Sequence, residues 1–265
     1  NVRHTFLSDI PFSVDSIRSL YVGYSQMEVS QVLGFIQNKA ELLALDIAGL
    51  KRDDVYWQSN LYSYNENFEK LEYLDVSDMG VTDLVWLSDY KHLTTLKASG
   101  NFISNLWGLD QVALRSLDIS GNPIADVGEL ENVLIKNQYL MSIGLNDIAL
   151  NNFDLFGVLD QFNTVEIKEL KLSNTGLLDW GVPNISKYQA IEHLEVANNK
   201  LQNLPLFAFF PGLMVLDVSG NQISDVTFIV GDEGKRRWSE APLLAPGAGW
   251  EGPQGGLATV VILAW

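Results

Sequence analysis

The stretch from Leu114 to Val127 reads LRSLDISGNPIADV, and four further segments repeat its pattern. They are LEYLDVSDMGVTDL (71–84), LTTLKASGNFISNL (93–106), IEHLEVANNKLQNL (191–204) and LMVLDVSGNQISDV (213–226). The shared pattern is L-x-x-L-x-L-x-x-N-x-L, followed three places later by another apolar residue. Self-similarity of this kind indicates a repeat architecture, in which each copy forms one structural unit.

Less regular copies extend the series to nine along the chain. They begin at Ile17, Leu42, Leu71, Leu93, Leu114, Leu140, Ile167, Ile191 and Leu213, with spacings of 25, 29, 22, 21, 26, 27, 24 and 22 residues. We number the positions of each coil from these residues. The four coils with spacings above 24 residues are expected to carry helices or protruding loops.

The pattern has a direct physical meaning. Positions four and six are two residues apart, so on a short strand their apolar side chains point inward together. A single coil cannot bury its own apolar edge, and stacked neighbours therefore form the continuous core. Asparagine at position nine is expected to pair with backbone groups left open where the strand turns away. It occurs as Asn101, Asn122, Asn199 and Asn221, whereas Leu50, Met79, Ile148 and Thr175 replace it in other coils.

The segments SGNFISNL, SGNPIADV and SGNQISDV resemble the short-period leucine-rich repeats of internalin-type bacterial surface proteins and of some eukaryotic phosphatase regulators. The resemblance covers residues 71–228 well and residues 17–70 loosely. It implies an α/β solenoid, a right-handed superhelix with a parallel sheet on the concave face and short 3-10 or α segments on the convex side. It also implies binding of a protein partner, often through the concave face.

Composition divides the chain into three regions. Residues 1–16 are expected to form an N-terminal cap, residues 17–230 a solenoid of about nine coils, and residues 231–265 a Gly/Pro-rich tail that is a C-terminal cap or is foreign to the native protein. Within the solenoid, apolar residues from Met27 to Ile36 suit one face of a helix. Residues 51–70 form an insertion with five aromatic side chains, which either contact a partner or pack back on their own coil.

The net negative charge of the chain limits the classes of molecule that it is expected to bind. A formal net charge of −16 and a pI near 4.4 argue against nucleic acid and against an anionic membrane surface. The longest apolar run, Leu257 to Trp265, is too short to cross a bilayer unless it continues beyond the given sequence. Cysteine is absent, which excludes disulfides and thiolate sites. An extracellular or cell-surface location is expected, with the cytoplasm as the alternative.

Candidate binding residues lie at positions two, three and five, which face outward from each strand. Position five holds five acidic and two basic side chains among the nine coils. Together with aromatic and apolar residues towards the ends of the face, the proposed contact set is Tyr21, Asp46, Tyr73, Asp75, Lys97, Asp118, Lys171, His193, Glu195, Met214 and Asp217. The alternative is an ordinary solvated face whose acidic residues provide solubility.

Catalytic motifs are missing from the sequence. The histidines His4, His92 and His193 have no zinc-site spacing, and no nucleophile elbow or phosphate-binding glycine loop occurs. We therefore expect no catalytic residues, no metal and no cofactor. The sequence predicts a non-enzymatic module that binds a protein, or alternatively a glycan. The other functions that remain are an intracellular scaffold or regulatory subunit, and a targeting domain of a larger protein.

Overall fold

In a computed structural model of the protein, the chain forms two compact units, Asn1–Tyr139 and Leu140–Trp265. The structure describes residues 1–10, 16–53, 57–59, 68–151, 153–162, 166–179, 188–202, 212–223, 249–251 and 257–261. Among them, no helix is both long enough and apolar enough to cross a bilayer.

The first unit contains five parallel strands, one for each of the first five coils. They are β1 (Ser19–Tyr21), β2 (Ala44–Asp46), β3 (Tyr73–Asp75), β4 (Thr95–Lys97) and β5 (Ser116–Asp118). Each strand pairs with the next so that equal positions of neighbouring coils stand side by side, as in Leu45 beside Leu74. Positions four and six are buried in all five coils, which confirms their predicted inward direction.

The second unit repeats this arrangement with β6 (Ser142–Gly144), β7 (Glu169–Lys171), β8 (His193–Glu195) and β9 (Val215–Asp217). Two further strands follow. β11 (Leu257–Val261) pairs in parallel with β9, and β10 (Gly249–Glu251) pairs with β11 in antiparallel fashion. The chain is thus an α/β solenoid, as the repeat pattern predicts. The assignment of residues 231–265 as a cap or a foreign tail stays a prediction, since most of them lie outside the described residues.

The long coils carry helices, as expected from their spacing. α1 (Val29–Ile36) lies in the first coil, α2 (Val127–Lys136) in the fifth and α3 (Leu155–Leu159) in the sixth. The shorter third and fourth coils contain only 3-10 segments, Val85–Asp89 and Leu109–Gln111. Extra residues thus allow a full helical turn where the shorter coils have room only for the tighter 3-10 path.

The asparagines at position nine bind backbone groups of the preceding coil, as predicted. Asn122 Oδ1 accepts a hydrogen bond from the Ile103 N–H (3.0 Å), and its Nδ2 donates to the Ala98 carbonyl (2.9 Å). Asn101, Asn199 and Asn221 make equivalent bonds. These bonds satisfy buried polar groups and hold adjacent coils together.

Position eight adopts the left-handed backbone conformation in every coil. The nine residues are Tyr24, Gly49, Asp78, Gly100, Gly121, Asp147, Asn174, Asn198 and Gly220, with φ between 53° and 67°. Glycine, asparagine and aspartate tolerate this conformation, whereas a bulky side chain adopts it at a cost. Tyr24 is therefore the exception among the nine residues at position eight, since it has a bulky side chain.

The two described side chains with aromatic rings in the 51–70 insertion pack inward. Trp57 and Phe68 are 4% and 1% exposed, and the Phe68 ring centroid lies 6.2 Å from that of Tyr90. At these two positions the structure favours packing on the chain's own coil over contact with a partner. Tyr56, Tyr62 and Tyr64 lie outside the described residues.

Candidate binding surface

The candidate surface in each unit is the sheet face that carries positions three and five, hereafter the strand face. On it, Tyr21, Tyr73, Lys97 and Asp118 of the first unit are half-buried, as are Lys171, His193, Glu195 and Asp217 of the second. Met214, at position two, is 54% exposed. These candidate residues are therefore reachable from solvent, whereas Asp46 and Asp75 are not.

Asp46 and Asp75 correct the sequence prediction. They were expected to be open to solvent on the strand face, but they are 0% and 1% exposed. The cause is Arg3, whose Nε lies 2.8 Å from Asp46 Oδ2 and whose Nη2 donates to Asp75 Oδ2 over 2.9 Å. The N-terminal segment runs beside β1, where the Val2 N–H donates to the Tyr21 carbonyl, and brings Arg3 across the face.

The aspartates at position five also have a local structural role that the sequence analysis missed. In Asp46, Asp75, Asp118 and Asp217, Oδ1 accepts a hydrogen bond from the backbone N–H two residues later, over 3.0–3.1 Å. One carboxylate oxygen is thus held by the chain's own turn. The pattern D-x-[SA] marks this turn and could have revealed it. The geometry of the backbone turn therefore explains part of the excess of aspartates on the strand face.

Aromatic rings surround the Arg3 side chain. The Arg3 Cζ lies 5.5 Å from the centroid of the Tyr24 ring, which also stacks on His4 with centroids 4.9 Å apart. The Tyr24 hydroxyl donates to Asp78 Oδ2 over 2.5 Å. On the adjacent strands, the rings of Tyr21 and Tyr73 lie 5.7 Å apart. Of these residues, sequence reasoning found the last two and missed Arg3, His4 and Tyr24.

Burial and like charge shape the titration of this cluster. Burial raises the pKa of the Asp46 carboxyl, and neighbouring Asp75 raises it further, against the opposing effects of the Ala48 N–H and of Arg3. Burial also raises the pKa values of Tyr24 and Tyr73 well above the ordinary range of a phenol. Both tyrosines therefore remain neutral hydrogen-bonding groups at physiological pH.

The strand face of the second unit carries a connected polar network around His193. Its Nε2 lies 2.7 Å from Glu195 Oε1, and its Nδ1 lies 3.4 Å from Glu169 Oε1. Glu195 Oε2 also accepts from Asn146 Nδ2 (2.9 Å), and Lys171 Nζ lies 3.2 Å from Glu169. The network joins β7, β8 and the turn after β6, so these side chains have defined positions.

The two glutamates of this network have lowered pKa values. The hydrogen bond from His193 is the main cause for Glu195, with help from Asn146. For Glu169, burial would raise the pKa, but the Ser142 hydrogen bond and the positive charge of Lys171 together lower it. Both carboxylates therefore stay charged over a wider pH range than in water.

The chemistry of these faces is that of recognition by charge and hydrogen bonding. Among the described residues, no group of three or more His, Cys, Asp or Glu side chains has an arrangement suited to a metal ion. Paired carboxylates, a lysine, an imidazole and aromatic rings can bind cationic, amide and hydroxyl groups.

Comparisons with known proteins support the repeat assignment. The family described as "Leucine Rich repeat" matches residues 113–128 and 213–226. No curated protein sequence matches the chain significantly. Among solved structures, an internalin from Listeria monocytogenes matches 77% of this chain and 61% of its own, with 19% identity and a TM-score of 0.53.

A leucine-rich-repeat protein from Leptospira interrogans matches 82% of this chain and 61% of its own, with 15% identity and a TM-score of 0.53. The chain thus spans about three fifths of the length of each of these two proteins. At this level of identity the likeness concerns the fold. The nine repeats, the parallel strands and the bonds made by the asparagines at position nine agree with this likeness: the chain contains leucine-rich repeats, and its fold resembles that of internalins.

Proposed function

We propose that the protein is a non-enzymatic recognition module that binds a protein partner through its strand faces. The observation that carries this proposal is the ordering of half-buried polar and aromatic side chains on rigid, register-paired strands. Solenoids commonly use such extended surfaces for binding. Side chains that are held in place before binding lose less conformational entropy when the partner arrives.

In the first unit, Lys97 and Asp118 stand side by side on β4 and β5, since the two residues are paired in register. Their opposite charges favour a partner with a complementary pair, because charged groups at an interface mainly decide orientation and association rate. Tyr21 and Tyr73 supply aromatic area at the other end of this face. Tyrosine is among the residues enriched at energetically important interface positions.

In the second unit, Met214 provides an exposed apolar contact and directly precedes Val215, the register partner of His193. Its side chain is 54% exposed, whereas Leu216 on the same strand segment is buried. An apolar group flanked by ordered polar groups is typical of a protein interface. This combination favours a protein over a glycan, which remains the alternative ligand.

Charge-altering variants test the proposal. A photo-crosslinking residue at Thr95 on the strand face identifies the partner, and the same residue at Glu131 on the exposed face of α2 is the control. The affinity for that partner is then measured for Lys97→Glu/Asp118→Lys and for Glu195→Lys/Met214→Ala. We expect each pair to weaken binding by about tenfold or more, which is about 1.4 kcal/mol. Unchanged affinity in both pairs, or equal crosslinking at the two sites, would refute strand-face recognition.

The matched control for both pairs is Glu131→Lys/Lys136→Glu, which exchanges charges on α2 without altering the net charge. Both residues are exposed and lie on α2, away from the strand face, so the exchange should leave the affinity for the partner nearly unchanged.

We further propose an extracellular or cell-surface location. The resemblance of the repeats to those of internalin-type surface proteins supports it. Antibody labelling of intact cells compared with permeabilised cells tests it, and labelling only after permeabilisation would favour an intracellular scaffold or regulator.

A further inference from the structure

The N-terminal segment places a guanidinium group between two buried carboxylates of the first unit. Asp46 and Asp75 are register partners on β2 and β3, so their side chains leave the sheet side by side. Arg3 contacts the Oδ2 atom of each, at 2.8 and 2.9 Å. One guanidinium therefore bridges two strands, which a planar group with several donors does well and a lysine ammonium does poorly.

Backbone hydrogen bonds that do not involve Arg3 hold the two carboxylates in position. Asp46 Oδ1 accepts from the Ala48 N–H and Asp75 Oδ1 from the Ser77 N–H, each over 3.1 Å. These bonds turn both Oδ2 atoms towards the same point. The Tyr24 ring forms an aromatic wall 5.5 Å from the guanidinium carbon, a distance suited to a cation–π contact.

Tyr24 reaches this position at a conformational cost. It has a φ of 55°, the left-handed conformation that the other coils assign to glycine, asparagine or aspartate. Its ring lies across Gly49, where an added Cβ would come within 2.4 Å of it, and its hydroxyl bonds to Asp78. A strained aromatic residue held by its surroundings often marks a functional site.

Arg3 fills the site incompletely. Asp46 Oδ2 and Arg3 Nε are both buried and within ion-pair distance, yet neither makes a hydrogen bond of good geometry among the described residues. The Arg3 side chain is 31% exposed, although its two acidic partners are at most 2% exposed. On the same segment, Phe6 is 93% exposed and so adds little to its attachment.

We propose that Asp46, Asp75 and Tyr24 form a binding site for an arginine side chain of the partner protein, and that Arg3 is an internal occupant which this arginine replaces. The inference rests on the proposed recognition function and specifies the chemistry of its partner. Exchange of one arginine for another conserves the charge of the site, so the buried carboxylates are compensated both before and after it.

The test uses the full chain and two defined probes, Nα-acetyl-arginine amide and Nα-acetyl-lysine amide. Binding is followed by the NMR shifts of the Ala48 and Ser77 backbone amides. We expect Arg3→Ala to bind the arginine probe about tenfold more tightly than the wild type does, and about tenfold more tightly than it binds the lysine probe. Arg3→Ala/Asp75→Asn should lose this preference. Arg18→Ala, which removes an exposed arginine of the same unit, should bind as the wild type does.

Equal affinity of Arg3→Ala and the wild type, or of the two probes, would overturn the proposal. If Arg3→Ala does not fold by itself, recovery of its folded state in millimolar ethylguanidinium or ethylammonium, followed by circular dichroism, decides the question. Recovery with ethylguanidinium alone supports the site, and an equal effect of both ions, or no effect of either, excludes it. Failure here would not affect the test with Glu195→Lys/Met214→Ala, because both of those residues belong to the second unit, whereas Arg3, Asp46 and Asp75 belong to the first.

Discussion

Asn101 Nδ2 donates a hydrogen bond to the Val76 carbonyl oxygen over 3.0 Å and so ties the fourth coil to the third. Its Oδ1 accepts two further bonds, from the Met79 and Val81 N–H groups, each over 3.0 Å. The asparagine is 3% exposed, so water cannot replace these partners without opening the core.

Replacement of this asparagine should therefore be costly. We expect Asn101→Ala to lower the free energy of unfolding by about 3 kcal/mol or more, because several buried backbone groups lose their partner together. Urea denaturation measures the effect. The control is Asn38→Ala at an exposed turn, which should change stability by less than about 0.5 kcal/mol. Equal losses in the two variants would contradict a stabilising role for the asparagines at position nine.

Alanine substitutions at Gly49 and Gly176 should distinguish the cost of a left-handed backbone from the cost of a steric clash. Both have a positive φ, but an added Cβ at Gly49 would lie 2.4 Å from the Tyr24 ring, whereas at Gly176 nothing lies within 4 Å. We expect Gly176→Ala to cost about 1–2 kcal/mol from the left-handed backbone alone, and Gly49→Ala to cost more. Thermal unfolding compares them. The addition of Tyr24→Ala should remove most of the excess cost at Gly49 if the clash is its cause.

Arg3 should stabilise the first unit through its two acidic partners. Arg3→Ala removes the guanidinium that contacts both buried carboxylates, and we expect a loss of about 3 kcal/mol, the lower end for a broken buried ion pair. Arg3→Ala/Asp46→Asn should recover part of this loss, since one of the two buried charges is then removed. Chemical denaturation of the three proteins tests this. A double variant less stable than Arg3→Ala would show that charge burial is not the cause.

Glu195 should make the free energy of unfolding depend on pH. Its pKa in the folded protein is lowered below its ordinary value of 4.5, chiefly by the His193 hydrogen bond. The charged form therefore stabilises the fold above pH 4.5, and this contribution is lost as the pH falls through the lowered value. We expect the stability of Glu195→Gln to fall less than that of the wild type below pH 4.5. Urea denaturation between pH 3 and 6 tests this, with Glu131→Gln as the control for loss of one charge.

The strands and the helices of the long coils could be predicted because their signals are local. An apolar residue at positions four and six, an asparagine at position nine and the spacing between copies all refer to one coil or to its neighbour. The predicted helix over Met27–Ile36 corresponds to α1, helices occur in the first, fifth and sixth coils, and the described residues 57–59 of the long second coil are helical as well. One buried asparagine outside the pattern was missed: Asn137, which bonds to the Leu114 N–H and the Leu109 carbonyl.

The candidate site was predicted only in part. Position five was correctly placed on the outward side of the strand, yet outward direction did not ensure exposure for Asp46 and Asp75. The network around His193 joins residues on adjacent strands, and the repeat register brings those residues together. Its bond to Asn146, however, depends on the turn that follows β6, which carries no recognisable signal.

The sequence by itself determined the repeat, the inward and outward sides of each strand and the outer positions available for binding, because these follow from the period of the chain. Tertiary structure alone decided which of those positions stay open. Arg3 and Asp75 are 72 residues apart, and their 2.9 Å contact depends on the path of the N-terminal segment along β1. No local pattern encodes that path, since it arises from backbone bonds and charges that meet only once the coils have stacked.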